Sequence, residues 1–384
     1  MPGAHKQMKK NSLTTAEIRR YNKSQIFKTI YANKEISKQG ISQLLQLSLP
    51  TVSQNLTELQ QEGLIEICGS SRSTGGRKAQ LYCCISDARI AFGAVLLKDY
   101  VQIIALDLYG TPLAKEQHLI SFSNSPAYFE QICSIIQSFI DSCGYPSDRI
   151  LGIGIAIQGL VSKKGDRMIF GKILNNSDVT VDNFTRYLNY PCILLHDAET
   201  AAACELWERP DLTDAAFIFL NRNLGGALIL NGAIHSGSIL TSGIFEHMCL
   251  VPHGRLCYCG QHGCLENYCS ANSLIAEAGM PLDDFFTAVR KGSEREAGIW
   301  DTFLHHLALA INNILMVVNC DIILGGLLSL YIQPEDLETL RKYIREKSAF
   351  DFFSSYLMSK STTNTYVEAT GAALHYINKY LNQL

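Results

Sequence analysis

Between residues 247 and 264 the chain reads His247, nine residues, then Cys257-Tyr-Cys259-Gly-Gln-His-Gly-Cys264. Three thiolates within eight residues and an upstream imidazole supply four soft ligands, the complement of a closed tetrahedral zinc site. Gly260 and Gly263 let such a loop fold round an ion. With every coordination position taken by protein there is no place for a reactive water, so a structural zinc is expected. Two other readings stay open: free core cysteines, or a three-cysteine site completed by His253 or His262.

The elements that must position this loop belong to a chain of 384 residues, long enough for two or three folding units. A hydrophobic fraction of 47% against 18% charged is that of a globular protein with ample core. There is no uninterrupted apolar run of about 18 residues and no signal-peptide pattern at the start, so a cytoplasmic protein with no membrane partner is expected. Thirteen cysteines, an odd number, then read as reduced thiols rather than a disulfide framework.

The net charge of -3 hides an asymmetry: residues 1–80 carry twelve Lys/Arg against five Asp/Glu, and the remainder twenty-one against thirty-one. A basic head on an acidic body directs a polyanion to the head. In that head Ile26, Phe27 and Ile30 share a helical face over 24–32, with Asn22 or Ser24 as N-cap. Ser37 caps a second helix carrying Ile41, Leu44 and Leu45, and Ser48 caps a third in which Val52, Leu56 and Leu59 align. Pro50 is tolerated in a first turn. The outward face of the third helix presents Pro50, Thr51, Ser53, Gln54 and Thr57, short polar groups suited to a major groove. Strands at 64–67 and 80–85 flank a Gly/Ser loop whose Arg72, Arg77 and Lys78 are placed to meet phosphates or a narrow minor groove. The pattern is a winged helix-turn-helix for double-stranded DNA; a three-helix protein-interaction module is the plainer alternative.

From about residue 88 apolar strands joined by turns take over: ARIAFGAVLL, YVQIIALDL, ILGIGIAI after an amphipathic stretch at 126–142, and CILLH leading into AETAAACELW. A second set starts at AAFIFLN and GGALILNG. Two similar strand-rich halves closed by helices suggest a duplicated α/β architecture.

The winged helix ending in TGGRK, GIGIAIQGLV, HDAETAAA, GGALILNGAIHSG with EHM, CYCGQHGCLE and NCDIILGGLLS together make the chain resemble the ROK family of repressors and sugar kinases over essentially its whole length. The resemblance implies an α/β fold with a winged helix-turn-helix followed by an actin-like, ribonuclease H-like duplicated, two-lobed ROK domain. It divides the chain into a flexible basic tail (1–13), the DNA-binding domain (14–86), a first lobe (87–198, joined by a C-terminal helix 370–384) and a second lobe with the zinc loop (199–369). It also implies a sugar cleft between the lobes and a homodimer or homotetramer reading an inverted repeat. Carried onto this sequence, Asp197 matches the kinases' catalytic base, here vestigial, beside His196; Glu266 matches a sugar-binding carboxylate, and His247 a residue that touches sugar as well as zinc. A carboxylate and an imidazole suit vicinal hydroxyls. The plainer reading of Asp197 is a helix N-cap.

Departures from the kinase pattern point away from phosphoryl transfer. The first phosphate loop, Asp-x-Gly-Gly-Thr in the kinases, is matched to Arg89-Ile-Ala-Phe-Gly93-Ala, and the second, Gly-Thr-Gly-x-Gly-Gly, to Asn221-Arg222-Asn223-Leu224-Gly225-Gly226. Without close backbone approach and charge neutralisation, transfer fails. The sugar stretch Gly-Glu-x-Gly-His reads Gly243-Ile244-Phe245-Glu246-His247, so Ile244 replaces a sugar-binding Glu, and whether Glu246, two positions away, restores that anchor is open at this point. The expected function is a repressor of carbohydrate-utilisation genes tuned by a sugar or sugar-phosphate effector, and not an enzyme. Two other readings use the same residues: an ATP-dependent sugar kinase, supported by Asp197 and Gly325-Gly326, and a regulator controlled by a protein partner.

Overall fold

The structure, a computed structural model, describes residues 14–70, 79–174, 178–350, 356–362 and 365–384. The basic tail 1–13 and Arg72, Arg77 and Lys78 of the wing loop lie outside the described residues. Two units emerge. The first holds the described residues up to Ile90 together with Asp107–Tyr109 and Ile377–Leu384; the second holds Ala91–Leu106 and Gly110–Tyr376.

In the first unit the order is α1 (Thr15–Asn33), β1 (Ile36–Ser37), α2 (Lys38–Leu45), α3 (Leu49–Gln61), β2 (Ile65–Ser70) and β3 (Gln80–Cys84), with sheet order β1-β3-β2. Helix α1 begins well before the expected residue 24, and neither Asn22 nor Ser24 caps it. Thr14 and Glu17 form a reciprocal capping box instead. The added turns carry no apolar stripe; they are held by Arg19 pairing with Glu58 of α3 and Lys23 with Glu62, the residue that caps its C-terminus. Ser37 and Ser48 cap α2 and α3 by accepting from the Gly40 and Thr51 amides. Ile26, Phe27, Ile30, Ile41, Val52, Leu56 and Leu59 close the core. Tyr31 stacks on Tyr109 at 4.6 Å and donates to the Leu108 carbonyl, while Tyr380, Leu381 and Leu384 pack against the same core. By contacts the head extends to Ile90, beyond the expected 86, and takes in Ile377–Leu384, of which Tyr380, Leu381 and Leu384 pack half-buried against its core.

The second unit contains two five-stranded sheets. The first uses β4 (Ile90–Leu96), β5 (Val101–Leu106), β6 (Pro112–His118), β7 (Ile150–Ile157) and β10 (Cys192–His196), with α4 (Pro126–Cys143) between β6 and β7. A short pair, β8 (Leu160–Val161) and β9 (Met168–Phe170), and α5 (Asp182–Thr185) precede β10; α6 (Asp197–Glu208) follows it. The second sheet uses β11 (Ala215–Leu220), β12 (Leu224–Leu230), β13 (Ala233–Ile234), β14 (Asp321–Gly325) and β15 (Met358–Lys360). Helices α7 (Glu266–Cys269), α8 (Ala271–Ala278), α9 (Leu282–Arg290) and α10 (Glu294–Val317) separate β13 from β14; α11 (Pro334–Lys347) precedes β15, and α12 (Val367–Gln383) ends the chain.

Strand orders β6-β5-β4-β7-β10 and β13-β12-β11-β14-β15 are the same path walked twice: two hairpin-joined strands to one side of the first strand, two later strands to the other. Both begin with antiparallel hairpins and end on a parallel pair, β7 with β10 and β14 with β15. This is the duplicated actin-like architecture. Small residues set its layer spacing. A Cβ on Gly93 of β4 would lie 1.8 Å from the Ala369 carbonyl oxygen of α12, one on Gly154 of β7 would lie 2.0 Å from that of Ala372, and one on Gly371 would meet the Thr200 carbonyl of α6 at 1.8 Å. Gly93 is thus a packing residue inside a strand, paired with Ile104, and not part of a phosphate loop. The turn of that hairpin is Leu97-Lys98-Asp99-Tyr100, closed by the Leu97 amide on the Tyr100 carbonyl at 3.1 Å.

Candidate functional site

Strand ends and loops of the second unit converge on one cleft. Strand β7 delivers Gln158 just beyond its last residue, β10 ends on His196, and α6 opens on Asp197. Asp197 is the first helical residue; no side chain caps this helix. Its carboxylate lies at the positive end of the helix, 3.4 Å from His196 Nε2. Burial raises the Asp197 pKa, and His196 opposes that rise.

The opposite wall comes from the second half: Asn223 from the β11–β12 turn, Leu224 and Gly225 at the start of β12, then Ile244, Glu246 and His247. Glu246 is 7% exposed, and burial pushes its carboxyl well above the usual carboxylate range. Its Oε2 has no hydrogen-bond partner, a cost that a ligand hydroxyl would remove. Ile244 adds a branched alkyl group to the same wall.

Glu266 is placed otherwise than expected. It is buried at the start of α7 and accepts from Asn223 Nδ2 at 2.8 Å and from the Leu224 amide at 2.6 Å, and it is absent from the cleft lining. Burial raises it to about 7 against those two donors. The carboxylate holds the β11–β12 connection through these two bonds.

His247, Cys257, Cys259 and Cys264 offer ligand atoms that all lie within 4.8 Å of one another. The Cys259 and Cys264 sulfurs are 3.7 Å apart and the Cys257 sulfur is 3.8 Å from His247 Nδ1. Two zinc–sulfur arms of about 2.3 Å at a tetrahedral angle separate their sulfurs by about 3.7–3.8 Å, so the donor set fits a zinc ion. His262 turns its Nδ1 to the Gly254 carbonyl at 2.9 Å, leaving His247 as the imidazole of the cluster. Gly263, at φ +80°, has the Val251 carbonyl 1.8 Å from where a Cβ would stand, so the loop closes only with glycine there. His247 belongs to both cluster and cleft, and Tyr258, between two of the cysteines, also lines the cleft. Lys172 donates to the Cys259 carbonyl at 2.9 Å, and Phe170 meets the His247 ring edge-on.

Gln158, Phe170, Lys172, Asn223 and Tyr258 are cleft residues that sequence reasoning missed. Gln158 was findable, since it follows the carboxyl end of a buried strand. Phe170 and Lys172, on an irregular loop, carry no periodic signal. On α3 of the first unit, Pro50, Gln54 and Thr57 are exposed and Thr51 and Ser53 half-buried; Lys38 Nζ donates to Ser53 Oγ at 3.0 Å.

A duplicated actin-like body with a cleft and a four-ligand cluster, joined to a winged helix-turn-helix, is the class of protein these features define. The sequence description of the ROK family matches residues 98–376, and that of a winged helix-turn-helix DNA-binding domain matches 19–66. The chain belongs to the ROK family. It is 24% identical over 374 residues to the xylose repressor of Bacillus spizizenii, covering 95% of this chain and 97% of that one. It is 25% identical over 323 residues to the N-acetylglucosamine repressor of Escherichia coli O157:H7, covering 77% and 78%. Among solved structures, a ROK family transcriptional regulator, homologue of the E. coli MLC protein, superposes with a TM-score of 0.77 at 21% identity over 95% of this chain and 96% of its own. A ROK family glucokinase from Streptomyces griseus, in complex with glucose and AMPPNP, gives 0.65 at 19% identity over 74% and 98%. Among the described residues no helix is long and apolar enough to cross a membrane.

Proposed function

We propose that the chain is a transcriptional repressor of carbohydrate-utilisation genes. It binds a double-stranded operator, an inverted repeat read by a homodimer or homotetramer, and a sugar or sugar-phosphate effector in the cleft weakens that binding. The observation that carries the reading is a DNA-binding head on the same chain as a cleft where His196, Asp197, Glu246 and His247 converge. Repressors named for xylose and for N-acetylglucosamine among its relatives support the class of effector. The outward residues of α3, Pro50, Thr51, Ser53, Gln54 and Thr57, read bases, and Arg72, Arg77 and Lys78 hold phosphates. His247, Cys257, Cys259 and Cys264 hold a structural zinc that orders the cleft wall.

Phosphoryl transfer is not part of this reading. The first hairpin turn reads Leu97-Lys98-Asp99-Tyr100, with neither Gly-Gly nor Thr, and the second loop keeps Gly225-Gly226 but has Asn221-Arg222-Asn223 in place of Gly-Thr-Gly. Asn221 Nδ2 donates to the buried Glu368 carboxyl at 3.3 Å, so this loop's first side chain is tied to α12. Asp197 therefore serves as a ligand-binding carboxylate and not as a base.

The test is selection of duplexes from a random DNA pool by the full-length protein, repeated with xylose, N-acetylglucosamine and their 6- or 5-phosphates. Recovery of a two-fold symmetric site, with affinity falling at least tenfold in one sugar, is the expected result. A discrimination of about 1.4 kcal/mol between bound and free states suffices for that. A symmetric site indifferent to every sugar would remove the effector from the reading, and no recovered site would remove the repressor.

A further inference from the structure

The wing of the first unit contains a pair of thiols that neither the cluster nor the cleft uses. Strands β2 and β3 pair in antiparallel register, Glu66 with Cys83 and Ile67 with Tyr82, and the register then slips so that Gly69 faces Leu81. Cys68 is the residue left over at that slip. It lies one full pleat beyond Glu66, on the face of Cys83, and the bulge draws the strand toward its partner. The Cys68 thiol is exposed and reaches the Leu81 carbonyl at 3.6 Å; the half-buried Cys83 thiol is hydrogen-bonded to it. Neither belongs to a group of three or more metal-ligating side chains among the described residues.

We propose that Cys68 and Cys83 are an oxidisable pair that closes a disulfide across the wing and thereby weakens DNA binding, making the repressor sensitive to peroxide. The regulatory half rests on the DNA-binding function proposed above; the chemistry of the pair does not.

With hydrogen peroxide as oxidant the step balances. The exposed Cys68 sulfur, as thiolate, attacks a peroxide oxygen; an S–O bond forms, the O–O bond breaks, and the departing hydroxide leaves as water once protonated. Cys83, its proton lost to solvent, then attacks the Cys68 sulfur; the S–S bond forms, the S–O bond breaks, and a second water leaves. Two thiols and one peroxide become one disulfide and two waters. Cys68 is exposed and Cys83 half-buried, its thiol pushed up by that burial, so peroxide meets Cys68 first and Cys83 resolves. Closing the bond to about 2.05 Å fixes the bulge against β3. That re-aims the strand ends from which the loop bearing Arg72, Arg77 and Lys78 departs, and dithiothreitol reverses it.

The sequence makes the pair easy to read, because trypsin cleaves after Arg72, Lys78 and Arg89 and so places Cys68 and Cys83 on different peptides. Full-length reduced protein is treated with hydrogen peroxide, alkylated, digested and analysed by mass spectrometry. A disulfide joining the two peptides is expected in the wild type and in Cys84→Ser, and neither in Cys68→Ser nor in Cys83→Ser. In parallel, the affinity for a duplex selected by the reduced protein falls at least threefold on oxidation and recovers with dithiothreitol, whereas Cys68→Ser does not respond. A link through Cys84, a link between two chains, no link, or a link that leaves affinity unchanged would each overturn the proposal. A reduced protein that selects no duplex defeats the DNA-binding reading, and that failure is told apart because the peptide link is read without DNA.

Discussion

Glu368 shows how a single buried carboxyl bears on stability. It lies at the start of α12, 5% exposed, with Asn221 Nδ2 at 3.3 Å and the Asp197 carboxylate near enough to oppose its ionisation. Burial first, then Asp197, raises it from 4.5 to about 7. Between those values the folded chain keeps a proton that the unfolded chain has lost, so stability falls as pH rises through that window and the penalty is complete above pH 7. Glu368→Gln mimics the protonated form. It should add about 1–3 kcal/mol at pH 8 and nearly nothing at pH 4.5, read by urea unfolding at both values. Equal stability of the two proteins at pH 8 would show that the carboxyl is not held against ionisation. The identity of Glu368 gave no hint of this role; its burial beside a turn 147 residues away in sequence did.

Helices and strands here pack at a spacing fixed by glycine. Gly93 and Gly154 let α12 approach the first sheet, and Gly371 lets α12 approach α6. Gly93→Ala should therefore cost about 2–3 kcal/mol or prevent folding, since the added methyl meets carbonyl and amide atoms of a helix backbone that has no flexible end to give way. Gly298→Ala in α10, where a Cβ meets nothing within 4 Å, is the control and should be neutral or stabilising by up to about 1 kcal/mol. Equal melting temperatures for the two variants would refute the packing account. Helix caps were legible in sequence at Ser37 and Ser48, because a cap is a local bond between neighbours. The start of α1 was missed although its Thr14-x-x-Glu17 capping box is also local, because no apolar stripe runs from that cap to Ile26. Gly93 was misread for a different reason: a glycine needed in a tight turn and one needed for close layer packing look alike until the partner helix is known.

Taken together, the cluster of four ligands and the cleft are one construction, since His247 serves both and Tyr258 sits between two cluster cysteines. On the proposed zinc reading, treatment with a chelator should lower the melting temperature by about 5–10 °C and abolish any sugar response, with metal content measured before and after. A metal-free protein that still answers to sugar would separate the two. The sequence by itself determined the winged helix-turn-helix, the duplicated α/β body and the cysteine cluster, because local periodicity, capping and short ligand spacing are written in neighbouring residues. Only the tertiary structure decided that Glu266 holds a turn instead of facing the cleft, that Glu246 buries an unpartnered oxygen in the cleft wall, and that the end of α12 belongs to the head's core. Each of those depends on which distant segment supplies the hydrogen-bond donor or the apolar surface, and long-range pairing leaves no local mark.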